Sequence, residues 1–279
     1  MPLRAAASRF AALAACLALA ACASAPGGDR ARPVRVVGSD TMLPLTRAWA
    51  EALMALHPEL EIVVEGGGSG AGIAALIRGA ADIAACSRPA TGEELRLLYE
   101  RTGRLGVRFI VARDALSVYL HPSNPVRDLT LLQLKGIFTG RIGSWHKVGG
   151  REEPIDVLIR PPNSGTHRLF QDLVLDGEPY AEGARACATT GEIVAAVEAQ
   201  PRAIGYGGQA YGAQVVHLRV EGAEPDEASV RDGSYRLARY LFLYTARPPT
   251  GAAKSFIDHA LSAEGQREVE AAGYLPLWR

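Results

Sequence analysis

The sequence has no surplus of either charge, since 30 basic side chains balance 30 acidic ones in 279 residues. This balance excludes a nucleic-acid-binding protein that depends on a strong overall positive field. Aromatic residues make up only 6% of the chain and form no stripe on which single-stranded nucleic acid could stack. Low-complexity tracts and short-period repeats are also missing, which excludes collagen-like, solenoid and disordered chains. We therefore expect a partner to be recognised by a local site, and we expect no nucleic-acid partner.

Several enzyme motifs are missing as well. The six histidines are scattered without HExxH or paired spacing, so no metal site is expected, and His167 is interpreted as a solvated residue in the first turn of a helix. No GxxxxGK[ST] segment occurs, which excludes a P-loop nucleotide hydrolase. A secreted phosphate-ester hydrolase using Ser69 or Ser164 stays open as an alternative, although the sequence offers no paired base for it. We expect no enzyme activity and no cofactor.

The hydrophobic runs are too short to cross a membrane, but one of them is typical of an export signal. Arg4 and Arg9 form a basic segment before an apolar run over residues 10–21, whose length fits the hydrophobic core of a signal peptide. The run ends in Leu19-Ala20-Ala21-Cys22, which is similar to the bacterial lipobox, while an ordinary signal with an incidental cysteine stays open. We therefore predict a lipoprotein signal peptide over residues 1–21, lipidation of Cys22, and a flexible tether over residues 22–32.

Such a protein is exported to the periplasm or cell surface and contacts the membrane through its N-terminal lipid only. Its two further cysteines, Cys86 and Cys187, lie in no Cys-x-x-Cys pair, so a redox motif or zinc site is not expected. A bridge between them stays open, since an exported protein can form disulfides.

Strand and helix patterns alternate along the chain. Short apolar runs predict strands over residues 34–37, 61–65, 82–86, 155–159, 203–206 and 240–244, and residues 107–120 hold two strand-like runs split by Arg113-Asp114. Helical patterns begin near Pro44 and at Thr189, and cover residues 71–79, 91–103, 130–138, 164–175 and 250–272. This alternation is typical of sheets covered by helices, and it predicts two α/β units of about 80 to 100 residues.

Glycine- and serine-rich loops follow three of the predicted strands, at residues 38–42, 66–72 and 160–166. A helix N-terminus offers unpaired N–H groups and about half a positive charge, which suits an anion. Hydroxyl groups add donors, and Arg160 adds a planar fork that matches a tetrahedral oxyanion. Each loop alone also fits an ordinary capping turn. Together the three loops indicate a site for a small oxyanion.

The same loops belong to an ordered set of segments that resembles one known family. The set contains Gly38-Ser39-Asp40-Thr41-Met42-Leu43-Pro44, Gly68-Ser69-Gly70-Ala71-Gly72, Asp82-Ile83-Ala84-Ala85-Cys86-Ser87-Arg88-Pro89, Leu129-Thr130-Leu131-Leu132-Gln133-Leu134-Lys135-Gly136-Ile137-Phe138-Thr139-Gly140, residues 160–166, Ala203-Ile204-Gly205-Tyr206 and Gly273-Tyr274-Leu275-Pro276-Leu277. From residue 34 to residue 278 the chain resembles the PstS-like phosphate-binding proteins of bacterial ABC importers, in the type II periplasmic-binding-protein superfamily.

The resemblance implies an α/β fold of two lobes, each a mixed sheet flanked by helices, joined by two crossover segments. Lobe 1 would comprise residues 33–113 and 236–279, and lobe 2 residues 114–235. The resemblance also implies the groups that hold phosphate between the lobes. They belong to Ser39, Asp40, Thr41, Met42, Ser69, Ser87, Arg88, Arg160, Ser164, Gly165 and Thr166. Met42 and Gly165 would donate through their backbone N–H groups.

The chain departs from part of this family at one position. Some members carry an Asp where Arg88 stands, and that Asp accepts a proton from phosphate and so excludes sulfate. An arginine cannot accept a hydrogen bond, which leaves Asp40 as the nearby acid for this role.

We therefore expect an exported, lipid-anchored, monomeric solute-binding protein. It would capture inorganic phosphate between two lobes and deliver it to the permease subunits of an ABC importer. Two alternatives stay open: binding of another tetrahedral oxyanion, such as sulfate, molybdate or tungstate, and a phosphate-sensing lipoprotein without a role in transport.

Overall fold

A computed structural model describes residues 32–278 of the chain. The predicted signal peptide, the predicted lipid attachment at Cys22 and the predicted tether up to residue 31 lie outside these residues. The described residues from 33 onward form one compact unit. Within the described part of the chain, no helix has the length and apolar character needed to span a membrane.

Helices and strands alternate through the described residues, as the sequence predicts. The strands are β1 (Val34–Gly38), β2 (Ile62–Glu65), β3 (Ile83–Cys86), β4 (Val107–Leu120), β5 (Asp128–Leu129), β6 (Asp156–Ile159), β7 (Arg185–Ala186), β8 (Ala203–Gly208), β9 (Val216–His217), β10 (Arg219–Val220) and β11 (Ala238–Thr245). The α-helices are α1 (Leu43–Leu56), α2 (Ser69–Arg78), α3 (Gly92–Thr102), α4 (Leu131–Phe138), α5 (Gly165–Val174), α6 (Thr190–Ala199), α7 (Glu227–Asp232), α8 (Gly251–Ala260) and α9 (Ala263–Ala271).

Local capping signals fix several helix boundaries. Thr91 and Glu94 form a reciprocal capping box at the start of α3, and Gly103 ends that helix in the left-handed conformation. At α6 the Thr189 hydroxyl accepts from the Glu192 N–H, as its spacing predicts. The spacing of Thr189 and Glu192 is that of a capping box, but the Glu192 carboxylate accepts from the Ala188 N–H and not from that of Thr189, so the reciprocal hydrogen bond forms one residue earlier.

Nine strands form one mixed sheet, in the order β2-β1-β3-β11-β4-β8-β6-β7, with β9 paired to the far end of β4. β1 runs parallel to β2 and β3, whereas β11 runs antiparallel to both β3 and β4. On the other side, β8 runs antiparallel to β4 and parallel to β6, which in turn is parallel to β7. β5 and β10 form a separate parallel pair. The mixed sheet flanked by helices agrees with the predicted fold class.

The longest strand, β4, corrects one prediction. Arg113-Asp114 does not split residues 107–120 into two strands, because β4 is continuous over its 14 residues. The dipeptide lies where the strand changes partner: residues up to Ala115 pair with β11, and Leu116 onward pair with β8. A buried aspartate is tolerated in mid-strand because Arg239 of β11 lies directly opposite Asp114.

Two large hydrophobic clusters pack on different parts of this sheet. One surrounds Trp49 of α1 and the other surrounds Trp145. Along β4, Ala112 belongs to the first cluster and Ala115 to the second. This division falls beside the predicted lobe boundary between residues 113 and 114, and the boundary itself stays a prediction.

The C-terminal helical segment is two helices and not the one predicted over residues 250–272. α8 ends at Ala260, and the Ser262 hydroxyl caps α9 by accepting from the Gly265 N–H at 3.0 Å. The turn is stabilised from α1, because the Trp49 indole donates to the Gly265 carbonyl at 3.0 Å. A tertiary hydrogen bond of this kind leaves no periodic signal in the sequence.

Cys86 and Cys187 are both free and buried, so the bridge that stayed open is not formed in this structure. Burial raises the pKa of both thiols, which keeps them protonated at neutral pH.

Candidate functional site

The three glycine- and serine-rich loops meet, although they come from distant parts of the chain. The Gly68 N–H donates to the Gly38 carbonyl at 2.9 Å, which joins the loops after β1 and β2. The loop before α5 contacts the second of these twice: the Gly70 N–H donates to the Asn163 carbonyl at 3.2 Å, and the Asn163 amide donates to the Gly67 carbonyl at 2.9 Å. The start of α2 therefore faces the start of α5, and two helix N-termini share one site.

Gly165 fits this contact because it has no side chain. A Cβ at this position would lie 2.2 Å from the Ser69 hydroxyl oxygen and 2.8 Å from that of Ser87. Both serines are fully buried, and the Ser69 hydroxyl accepts from the Ser87 N–H at 3.1 Å. α2 also begins at Ser69, two residues earlier than predicted, so the Ser69 side chain lies in its first turn.

Arg160 is almost completely buried and donates to three groups. Its guanidinium contacts the Asp40 carboxylate at 2.7 Å, the Thr190 hydroxyl at 2.9 Å and the Ala188 carbonyl at 2.9 Å. The Nε atom is buried and has no hydrogen-bond partner in this structure. Arg160 thus holds loop 160–166 against both α6 and the first loop.

Asp40 is fixed from two sides. One carboxylate oxygen accepts from Arg160, and the other accepts from the Gly67 N–H at 3.0 Å. Its backbone carbonyl accepts from the Tyr211 hydroxyl at 2.6 Å. Because each carboxylate oxygen has two acceptor positions, Asp40 keeps room for a further donor.

Thr41 and Thr166 bring the first and third loops together through their hydroxyls, which lie 2.9 Å apart. The Thr166 hydroxyl also accepts from Arg239 at 3.0 Å. Arg239 and its partner Asp114 were missed by the sequence reasoning, although the Arg113-Asp114 interruption of a strand pattern was a usable signal. Burial raises the pKa of Asp114, and the Arg239 charge opposes that effect.

Arg88 turns toward the start of α3. Its guanidinium makes two parallel hydrogen bonds to Glu94, at 2.8 and 2.7 Å, while its Nε atom is buried without a partner. Burial acts to raise the pKa of Glu94, but hydrogen bonds from Arg88 and Thr91 outweigh it, so the pKa lies below its usual value. Sequence reasoning missed Glu94 as the partner of Arg88.

The remaining predicted residues lie in the same loops with mixed roles. Ser39 is buried at the end of β1, and the Ser164 hydroxyl caps α5 by accepting from the His167 N–H. The Met42 N–H donates to the Ser39 carbonyl at 3.0 Å, and the Met42 side chain is part of the core. The proposed ligand role of each stays a prediction.

His167 is not solvated, which corrects its interpretation. Its side chain is buried beside Tyr180, and its Nδ1 lies 2.6 Å from the Arg160 carbonyl oxygen. Burial lowers the pKa of His167, and the hydrogen bond to Arg160 only partly opposes this. The ring therefore supports the loop that carries Arg160.

Among the described residues, no group of three or more metal-ligating side chains is found.

A mixed sheet flanked by helices, with loops from both of its halves in contact, is the arrangement of the two-lobed binding proteins. A family model described as the PBP superfamily domain matches residues 23–264. The chain is 33% identical to the phosphate-binding protein PstS of Bacillus subtilis over 263 residues, which covers 91% of this chain and 84% of that protein. It is 28% identical to PstS of Pseudomonas aeruginosa, covering 86% of this chain and 82% of that protein.

Solved structures agree with this match. A Clostridium perfringens substrate-binding protein solved with bound phosphate superposes with a TM-score of 0.82 at 32% identity, covering 88% of this chain and all of that one. An ABC-type phosphate transport receptor from Vibrio cholerae gives a TM-score of 0.72 at 28% identity, covering 87% and 99%. The chain belongs to the PBP superfamily and, within it, to the PstS-like family, and its fold is the two-lobed fold of that family.

Proposed function

We propose that this protein binds inorganic phosphate reversibly between its two lobes and delivers it to the permease of an ABC importer, without covalent chemistry. One observation carries the proposal. Among the described residues, three buried side-chain nitrogen or oxygen atoms lack a hydrogen-bond partner, and two of them are the Nε atoms of Arg160 and Arg88. A buried donor left unpaired costs about 1–3 kcal/mol, and an oxyanion between the loops would supply the acceptor.

The surroundings of these arginines support a tetrahedral anion. Hydroxyls of Ser39, Ser69, Thr41 and Thr166 lie in the joined loops, and two helix N-termini face the same space. Hydroxyl, amide and guanidinium donors from several directions suit an anion with four oxygens. Because the donors come from both halves of the sheet, only a closed arrangement would satisfy the ligand fully.

Preference for phosphate over sulfate requires an acceptor, since phosphate carries a proton near neutral pH and sulfate does not. We assign this role to Asp40, whose oxygens each accept one hydrogen bond and can accept another. Arg88 does not serve as an acceptor, and its charge is matched by Glu94. The site therefore depends on Asp40 for selectivity and on the arginines for affinity.

The test is calorimetric titration of the protein, stripped of bound anion, with phosphate, sulfate and molybdate. We expect tight binding of phosphate and weak binding of the other two. Arg160→Ala is expected to weaken phosphate binding by more than tenfold, because a charge-assisted hydrogen bond is worth about 1.5–3 kcal/mol. Arg202→Ala is the matched control, since Arg202 forms a partly exposed pair with Asp156 in the same half of the sheet.

Each outcome of this titration is decisive. Preference for sulfate or molybdate would replace phosphate by another oxyanion, and loss of affinity in Arg202→Ala equal to that in Arg160→Ala would remove the site. No binding of any anion would contradict the proposal as a whole.

The proposal also includes export, anchoring through lipidated Cys22, and a monomeric state. Membrane fractionation tests the anchor. The protein that carries Cys22 should sediment with membranes, and the Cys22→Ser variant should not. Phosphate uptake by cells lacking the gene tests delivery, because a sensor without a transport role would leave uptake unchanged.

A further inference from the structure

Asp114 and Arg239 form a buried ion pair, and neither residue is among the proposed phosphate-binding residues. Their side chains are 1% and 2% exposed. Both Nε and Nη2 of Arg239 donate to one oxygen of Asp114, at 2.8 and 2.6 Å. Two charges this deeply buried are costly to desolvate, and stability alone does not favour keeping them.

The pair lies where the two halves of the sheet join. Asp114 is opposite Arg239 in the register of β4 and β11, and β4 changes partner to β8 only two residues later. The other oxygen of Asp114 accepts from the Gln209 N–H at 3.3 Å, just after β8 ends. Three segments of the sheet are thus held at one carboxylate.

The third nitrogen of the Arg239 guanidinium, Nη1, does not contact Asp114. Nη1 donates to the Thr166 hydroxyl at 3.0 Å, and that hydroxyl lies 2.9 Å from the Thr41 hydroxyl. The two threonines have two hydroxyl protons, of which one is used between them. Whichever threonine donates, one proton remains for a third group. By donating to Thr166, Arg239 occupies one of the two lone pairs of that hydroxyl oxygen, which is then closed to other donors.

We propose that Arg239 is a positioning residue that holds the Thr166 hydroxyl beside that of Thr41, so that the one free proton of the two hydroxyls is available to the anion, while Asp114 anchors Arg239 at the junction of the lobes. The inference rests on the proposed function, since the anion is phosphate. A lysine cannot replace this arginine, because one ammonium cannot hold both Asp114 and Thr166 in the fixed fork of a guanidinium.

The test is a double-mutant cycle on phosphate affinity, measured by calorimetry with Arg239→Lys and Thr166→Ala. If Arg239 acts through Thr166, Arg239→Lys should weaken phosphate binding about tenfold when Thr166 is present. In the Thr166→Ala background the same change should alter the affinity less than about twofold. Arg202→Lys, at the partly exposed pair with Asp156, is the control and should have no effect in either background.

Asp114→Asn gives a second, nearly isosteric route if Arg239→Lys does not fold. It loosens the anchor and should likewise weaken binding only when Thr166 is present. Equal losses in both backgrounds, with phosphate binding intact in the unmodified protein, would mean a general structural role and overturn the inference alone. Absence of phosphate binding by the unmodified protein would overturn the proposed function and this inference with it.

Discussion

Each buried arginine of the site meets a carboxylate before any anion is considered. The pairs are Arg160 with Asp40, Arg88 with Glu94, and Arg239 with Asp114. The positive charges are therefore already matched within the protein. Affinity for an anion must come from oriented donors that remain available and not from a surplus of charge.

Asp40 is predicted to set selectivity. Asp40→Asn should reduce the preference for phosphate over sulfate by about tenfold, because the amide keeps only one acceptor oxygen, for which Arg160, the Gly67 N–H and the phosphate proton would compete. Competition of sulfate with labelled phosphate measures this ratio. Asp156→Asn, in the pair with Arg202, should leave it unchanged. An unaltered ratio in Asp40→Asn would remove Asp40 from the acceptor role.

Glu94 is predicted to make stability depend on pH. Its pKa in the folded protein lies below the usual value of about 4.3, so its carboxylate stabilises the fold above that pH and loses the contribution as the pH falls. Glu94→Gln should keep the helix cap, since Gln133 holds the same position in the capping box of α4. The difference in free energy of unfolding between the two proteins should therefore be largest near neutral pH and shrink below about pH 4.

Denaturant unfolding at several pH values measures this difference. A difference that stays constant with pH would show that Glu94 contributes through packing and not through its charge.

Local motifs located the loops of the candidate site, but they could not pair residues that are distant in sequence. The glycines and hydroxyls of residues 66–72 and 160–166 predict strand-to-helix turns, and these loops meet in the structure. The ligand roles of Ser69, Arg160 and Thr166 stay predictions. Arg239 could not be found this way, because its partner Asp114 is 125 positions away and only the register of β4 and β11 brings them together. The orientation of His167 likewise depends on Tyr180, which no local pattern links to it.

At the scale of elements, the contact between α2 and α5 is set by a missing side chain. Gly165→Ala would place a Cβ 2.2 Å from the Ser69 hydroxyl oxygen. We therefore expect this variant to weaken phosphate binding at least tenfold while keeping its helices, because the two helix starts must move apart. Titration and far-UV circular dichroism measure the two effects.

A matched glycine lies at the first position of α3. A Cβ at Gly92 would meet no atom within 4 Å, so Gly92→Ala should leave phosphate binding unchanged. Equal binding by Gly165→Ala and Gly92→Ala would contradict the close approach of α2 and α5.

Element boundaries were predictable where the chain itself carries the signal. The helix predicted over residues 91–103 agrees with α3, whose N-cap is Thr91 and whose C-cap is Gly103. The break between α8 and α9 was missed although Ser262 is a local N-cap, because the hydrogen bond from Trp49 that stabilises the turn comes from far away in sequence. The continuity of β4 was missed because a polar dipeptide usually ends a strand, whereas here Asp114 has a buried partner.

For the whole molecule, we predict that phosphate favours the arrangement in which the loops of the two halves are in contact. The contacts of Asp40 with Arg160 and of Thr41 with Thr166 join the loops of the two halves. Small-angle X-ray scattering should show a smaller radius of gyration with phosphate than without it. Arg160→Ala should show no change at the same phosphate concentration, and a change equal to that of the unmodified protein would contradict closure through this pair.

The position of β11 in the sheet also determines when the protein can finish folding during synthesis. β3 and β4 do not pair with each other, because the last strand of the chain lies between them. The strands of the second half are complete by residue 220, whereas β1, β2 and β3 wait for residues 238–245 with an open edge. A chain stopped before residue 238 would expose the unpaired edge of β3. The N-terminal strands are therefore synthesised first, but their sheet is completed last.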